Sequence, residues 1–170
     1  YVTTMQGLFQ WNNIDNYGHV SDAVKTNFQN FNENISGWIT NNVTNMESMF
    51  HNAESFNQNI SNWNTDSLMN VEKMFKNASN YNNGGQSLKI NVSQVTSMFE
   101  IFMNCKKFNQ NIISWDMSKV ANTSYMFYFC HVFNSDIGNW DTSNVTNMKA
   151  MFQAANAFNQ NIDTKQVTVN

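Results

Sequence analysis

A period of 25 residues runs through most of this chain and limits what it can fold into more than any other feature. Phe31-Asn32 opens a unit that recurs at Phe56-Asn57, Tyr81-Asn82, Phe108-Asn109, Phe133-Asn134 and Phe158-Asn159. A fixed period in this range marks a repeat architecture in which each unit leans only on its neighbours. A single unit offers about eight large apolar side chains, too few to offset the conformational entropy of ordering its backbone. The units must therefore stack. Function is then expected on an extended surface rather than in a catalytic pocket.

The unit from Phe133 to Ala157 shows the pattern most clearly, with apolar residues at Phe133, Ile137, Trp140, Val145, Met148, Met151, Phe152 and Ala155. Ile137-x-x-Trp140-x-Thr142 has the spacing of a short extended segment, with Trp140 and Thr142 on one face and Asp141 on the other. From Val145 the apolar steps run 3, 3, 1 and 3, the spacing of a short helical stripe, and Asp141-Thr142-Ser143 supplies oxygens suited to capping it. The expected fold class is thus an α/β repeat, a right-handed solenoid with short parallel strands and short helical turns. The strands would centre on Trp38, Trp63, Ile90, Trp115 and Trp140 and stack in register.

Domain organisation follows from where the frame holds. Residues 1–30 read as a partial repeat interrupted by a helical insertion: Val2, Met5, Leu8 and Phe9 match the second half of a unit, and Val20, Ala23, Val24, Asn27 and Phe28 suggest a short helix. Residues 31–162 form the repeat array. Its third unit is 27 residues long and carries a Gly84-Gly85 bulge expected to break the loop stack. The chain opens in mid-repeat and is expected to be part of a longer protein, and residues 163–170 read as a different strand or as the edge of the fragment.

Asparagine makes up about a fifth of the chain, and only 12% of residues are charged. One Asn follows each opening aromatic, at Asn32, Asn57, Asn82, Asn109, Asn134 and Asn159, and a second Asn or Asp sits two positions further on in five of the six units. In a stack these residues would form ladders that satisfy turn amides and carbonyls. The net charge of -3 leaves no basic footprint for nucleic acid. No apolar run approaches the roughly 20 residues of a membrane span.

Chemistry-bearing clusters are scarce. His19, His51 and His131 occupy unrelated repeat positions and read as surface residues. No phosphate loop, nucleophile elbow or Cys-x-x-Cys is present. Cys105 and Cys130 lie one repeat apart at a position filled by Ala53, Ala78 and Ala155, and are expected as two buried, reduced thiols. The candidate binding residues are Asn64, Asn91, Asp116 and Asp141, which share one column on the exposed strand face. Two carboxylates on adjacent rungs, roughly 5 Å apart, could hold a cation. A solvated pair is the favoured reading, because hard cations want at least about six oxygen ligands.

The phrase from Trp140 to Phe152, followed by Phe158-Asn-Gln-Asn-Ile162, resembles the repeat of the DUF285, or BspA-like leucine-rich-repeat, surface proteins, which are abundant in mycoplasmas and also occur in lactic acid bacteria and Listeria. The likeness covers residues 31 to 162. It implies a leucine-rich-repeat-like solenoid on lipoproteins or wall-anchored proteins, extracellular at the cell surface, with roles in adhesion and surface variation and no enzymatic activity. The expected function is a non-catalytic interaction module that binds a host protein or glycan. The alternative is a structural spacer or variable antigenic array without a specific ligand, and an enzyme is the most distant reading. No cofactor and no metal are expected, and membrane association would come only through an anchor outside this chain.

Overall fold

A computed structural model describes residues 2–9 and 22–162. Within them the repeats stack as a column of rungs joined by backbone hydrogen bonds. The N–H groups of Met46, Ser48, Phe50 and Asn52 donate to the carbonyls of Asn70, Glu72, Met74 and Lys76 on the next rung, at 2.8–2.9 Å. Those of Met98, Glu100, Phe102 and Asn104 reach Asn122, Ser124, Met126 and Tyr128 in the same way. The alternate N–H groups close turns within their own rung: Met49 donates to Met46, His51 to Ser48 and Ala53 to Phe50. The remaining donor, Glu47 N–H, goes to the side-chain oxygen of Asn45 at 2.8 Å, so the backbone donors from Met46 to Ala53 are all partnered.

The expected α/β class is overturned. Among the described residues the regular elements are one helix, α1 (Asp22–Gln29), and a three-residue 3₁₀ turn at Asn83–Gly85. The described residues form no strands, only isolated parallel bridges at Thr4–Asn45, Asn45–Asn70, Ser97–Asn122 and Asn122–Asn147. These bridges fall in the segment read as helical, not at the tryptophans.

Two physical causes account for the difference. The apolar spacing of three reflects consecutive turns whose first and fourth residues both face inward, as in Met46–Met49, Phe50–Ala53 and Ala53–Phe56. Positive φ at two positions per rung (Ser48 and Asn52, Lys73 and Asn77, Glu100 and Asn104, Tyr125 and Phe129, Ala150 and Ala154) excludes both a continuous helix and a pleated strand. Around the tryptophans, burial does alternate as a strand would: Trp63 and Thr65 are buried and Asn64 is exposed. The backbone donors there are spent inside the rung, however. The N–H groups of Ser61 and Asp66 go to the side chains of Asn59 and Asn64, and those of Trp63 and Leu68 close turns. Side-chain acceptors have outcompeted the sheet ladder.

The core is a double file of rings. Phe50, Phe75, Phe102 and Phe127 stack at 5.5–5.8 Å along one file, and Phe56, Tyr81, Phe108 and Phe133 at 5.6–6.1 Å along the other. Within each rung the two files meet at 3.8–3.9 Å. Residues 2–9 supply a half rung as expected, since Phe9 stacks on Phe31 and Phe50 and Gly7 donates to Glu47. The buried indoles of Trp63, Trp115 and Trp140 each donate to a carbonyl of the preceding rung, at Ile35, Leu88 and Ile112. Cys105 and Cys130 are free and buried, and their thiols donate to the Phe75 and Phe102 carbonyls.

The Asn ladder forms as the sequence suggested. Asn57, Asn82, Asn109, Asn134 and Asn159 each donate a backbone N–H to the side-chain oxygen of the corresponding Asn one rung earlier, at 2.8–2.9 Å. It runs unbroken past the third unit's insertion, contrary to the expected interruption. The inserted turn is pinned by the fully buried Asn83, whose amide donates to Ser61 Oγ and the carbonyls of Gln86 and Ser87, and accepts from Ile60 N–H. Gly84 sits at φ 59 with its absent Cβ position 3.4 Å from the backbone of Asn59, so a larger residue would be strained there. The expected N-terminal helix appears at Asp22–Gln29. Val20, His19 and residues 163–170 lie outside the described residues.

Candidate functional site

The four residues singled out by sequence, Asn64, Asn91, Asp116 and Asp141, share one exposed column as expected, although no strand underlies it. Each side-chain oxygen accepts the backbone N–H two residues on, at Asp66, Ser93, Ser118 and Ser143, at 3.0 Å in every case. These are Asx turns, the local role for which Asn and Asp are favoured in bends. Side-chain and backbone hydrogen bonds from Ser118 hold the Asp116 carboxyl below the usual carboxylate range, and Ser143 does the same for Asp141. The negative charge of Asp116 pushes the other way on Asp141, as expected of carboxylates on adjacent rungs. Asn91 Nδ2 also donates to Asp66 at 2.9 Å. The described residues contain no group of three or more metal-ligating side chains.

A different surface departs from this regularity: the solvent side of the segment that carries the inter-rung ladder. In its first three rungs Asn52, Asn77 and Asn104 sit one above another at positive φ, and Asn77 and Asn104 pass amide hydrogen bonds down the column at 2.7 and 3.1 Å. Beside them run Glu54, Ser79 and Lys106, and the two columns border an open polar cleft of ≈ 270 Å³. Lys76 and Glu100 pair at 2.7 Å nearby. His51 is half-buried here rather than a solvated surface residue. Burial first, then the positive charge of Lys76, lowers its pKa to about 4, so it is neutral at physiological pH.

On the fourth rung the same columns turn aromatic. Phe129 replaces the Asn of the earlier rungs and is 39% exposed. His131 follows Lys106 in its column, and Tyr125 and Tyr128 stand where the second unit has Lys73 and Lys76. The rings form one connected patch: Phe99 meets Tyr125 edge-on at 6.3 Å, Tyr125 meets Tyr128 at 5.6 Å, Tyr128 meets Phe129 at 4.6 Å, and Phe129 meets His131 at 5.8 Å. Lys73 and Lys149 lie over the Phe99 and Tyr125 rings at 5.4 and 5.7 Å, within cation–π range. Exposed Val132 extends the apolar surface.

Sequence reasoning had overlooked this patch because it searched the unit for what recurs. The signal was available in the opposite question. Aligned on the Met-Phe frame, Tyr125, Tyr128, Phe129 and Val132 stand where the second unit has Lys73, Lys76, Asn77 and Asn80, and none of these four columns holds another aromatic ring of Phe, Tyr or Trp in units one to five. Polar repeat positions that become aromatic in one unit are not needed for stacking.

A family model described as a Mycoplasma protein of unknown function, DUF285, matches residues 2–91 and again residues 85–169. Neither a curated protein nor a solved structure matches the chain.

Proposed function

The chain belongs to the DUF285 family, and from that premise we propose that it is a non-catalytic, cell-surface interaction module that engages a host protein or glycan through its ladder surface. The observation that carries the reading is the aromatic patch of the fourth unit. Aromatic side chains gathered at solvent-facing positions supply the large, rigid contact area on which recognition energy concentrates. Attachment to the cell surface would come from a segment outside this chain, and no cofactor enters the reading. Among the described residues no helix is long and apolar enough to cross a membrane.

The spacer reading is favoured by a separate observation, the Asx-turn column, whose side chains are committed to their own backbone. One comparison separates the two readings. Tyr128→Lys, Phe129→Asn and Val132→Asn together give the fourth unit the residues of the second, at Lys76, Asn77 and Asn80. Labelled wild-type protein is expected to bind cultured epithelial cells saturably, and the triple variant to bind at least about tenfold more weakly at unchanged thermal stability. Equal binding by both proteins would remove the patch from the mechanism. Absence of saturable binding by the wild type would leave the spacer.

A further inference from the structure

We propose that the ladder surface binds an extended, uncharged oligosaccharide, with the Asn77 and Asn104 amides gripping its hydroxyls and Phe129 stacking on the apolar face of a sugar ring. The inference rests on the interaction reading above and names the ligand class for that surface.

The cleft and the patch form one continuous surface. The Asn52–Asn77–Asn104 column runs directly into Phe129 on the next rung, because Asn104 N–H donates to the Tyr128 carbonyl at 2.7 Å. A primary amide carries two N–H donors and a carbonyl acceptor. Asn77 spends one donor on Asn52 and accepts from Asn104, and Asn104 spends one donor on Asn77. The remaining donors and the Asn104 carbonyl are thereby held in fixed orientation, so little ordering is lost on binding. The amides repeat at the rung spacing, roughly 4.8 Å, which suits a ligand that is itself a short-period polymer.

Charge and shape narrow the ligand further. The cleft lining carries one carboxylate, Glu54, and one ammonium, Lys106, so it offers no net field for a polyanion. A peptide would want either an open sheet edge or apolar pockets for alternate side chains. This cleft gives side-chain amides and a hydroxyl from Ser79 instead. A sugar presents a hydroxyl rim together with an apolar C–H face. It needs polar groups of this kind beside an exposed ring, and here the amide column ends on one.

The test uses the whole chain on an array of neutral and sialylated oligosaccharides ranging from monosaccharides to hexasaccharides. Two variants accompany it. Asn104→Ala copies Ala154, which holds φ 59 at the same repeat position, and Phe129→Asn copies Asn104 itself, so both keep residues the fold already accommodates. Neutral chains longer than a disaccharide are expected to bind saturably and with little salt dependence, and each variant to weaken binding about tenfold with at most a small shift in thermal unfolding. Binding confined to sialylated chains and abolished by salt overturns the proposal, because a bare lysine contact would suffice. An array with no binding, alongside intact binding to cells, also overturns it while leaving the interaction reading standing on a protein partner. Failure of both array and cell binding overturns both.

Discussion

Two flanks of the same repeat have taken opposite courses. On the Asx-turn flank, Asn64, Asn91, Asp116 and Asp141 do the same job on four successive rungs, each capping a backbone N–H at 3.0 Å. On the ladder flank, Asn52, Asn77 and Asn104 give way to Phe129, and Tyr125 and Tyr128 stand where the second unit has Lys73 and Lys76. The first flank is regular because the backbone needs it so. The second can vary because its rungs are joined by main-chain groups, N–H of one to C=O of the next, which any residue supplies. Side chains there are released for recognition. In a stacked repeat the informative surface is where the period fails without disturbing the stack.

The largest test of that contrast removes a structural side chain. Trp63→Ala deletes a buried indole and its hydrogen bond to Ile35, and should cost about 3 to 5 kcal/mol. Hydrogen exchange should show the loss concentrated on the adjoining rungs. Uniform loss of protection along the chain would contradict one-dimensional stacking.

The core thiols make a pH prediction of comparable size. Burial pushes the Cys130 pKa up to about 12 from an ordinary 9.0. Burial, then the neighbouring Cys130, raises that of Cys105 as well. The unfolded chain therefore releases these protons first. Stability should be complete below pH 9 and fall by a few kcal/mol as pH rises toward 12. Cys130→Ala, which copies Ala155 and Ala78, should flatten that slope in chemical denaturation series. Thiol titration of the denatured, unreduced protein should find two reactive groups, and a count of none would mean that a disulfide had formed.

A smaller effect separates the asparagine columns. Asn57→Ala strips the acceptor from Asn82 N–H and Gly84 N–H and should cost about 1 to 3 kcal/mol in urea unfolding. Asn104→Ala, on the ladder flank, should cost clearly less. Equal costs would erase the distinction between structural and recognition columns.

The smallest effect is a gain. Lys73 sits at φ 56, where the half rung at the N-terminus places Gly7 at φ 61. Lys73→Gly should relieve left-handed strain and stabilise by roughly 0.5 to 1 kcal/mol, net of glycine's greater chain entropy. A thermal shift downward would show that the Lys73 contact with Phe99 outweighs the strain.

Much of the architecture was legible in the sequence. The period, the Asn32-to-Asn159 ladder, the burial of Trp63, Trp115 and Trp140 and the free cysteines all follow from residues recurring at fixed intervals, whereas Trp38, expected inward with them, is 37% exposed. The local conformation was not. A step of three between Met46 and Met49 is shared by a helix and by a chain of turns, and only the φ of Ser48 and Asn52 distinguishes them. The spacing around Asn64 suggests a strand, but the Asx turns there consume donors that a strand would have shared. The sequence places His51 on the surface, whereas the rungs around it half-bury it.

The sequence by itself determined that these units stack and which residues face inward, because each unit has too little apolar surface to stand alone and that surface recurs in one frame. Only the tertiary structure decided how the backbone closes each rung and where the outward residues meet. Positive φ at non-glycine residues is held in place by the ladder to the next rung, and Phe99, Tyr125, Phe129 and His131 become one patch only when the rungs are stacked. Spacing along a chain records the inward direction. Adjacency on the outer surface, and the competition between side-chain and main-chain acceptors for each N–H, exist only after stacking.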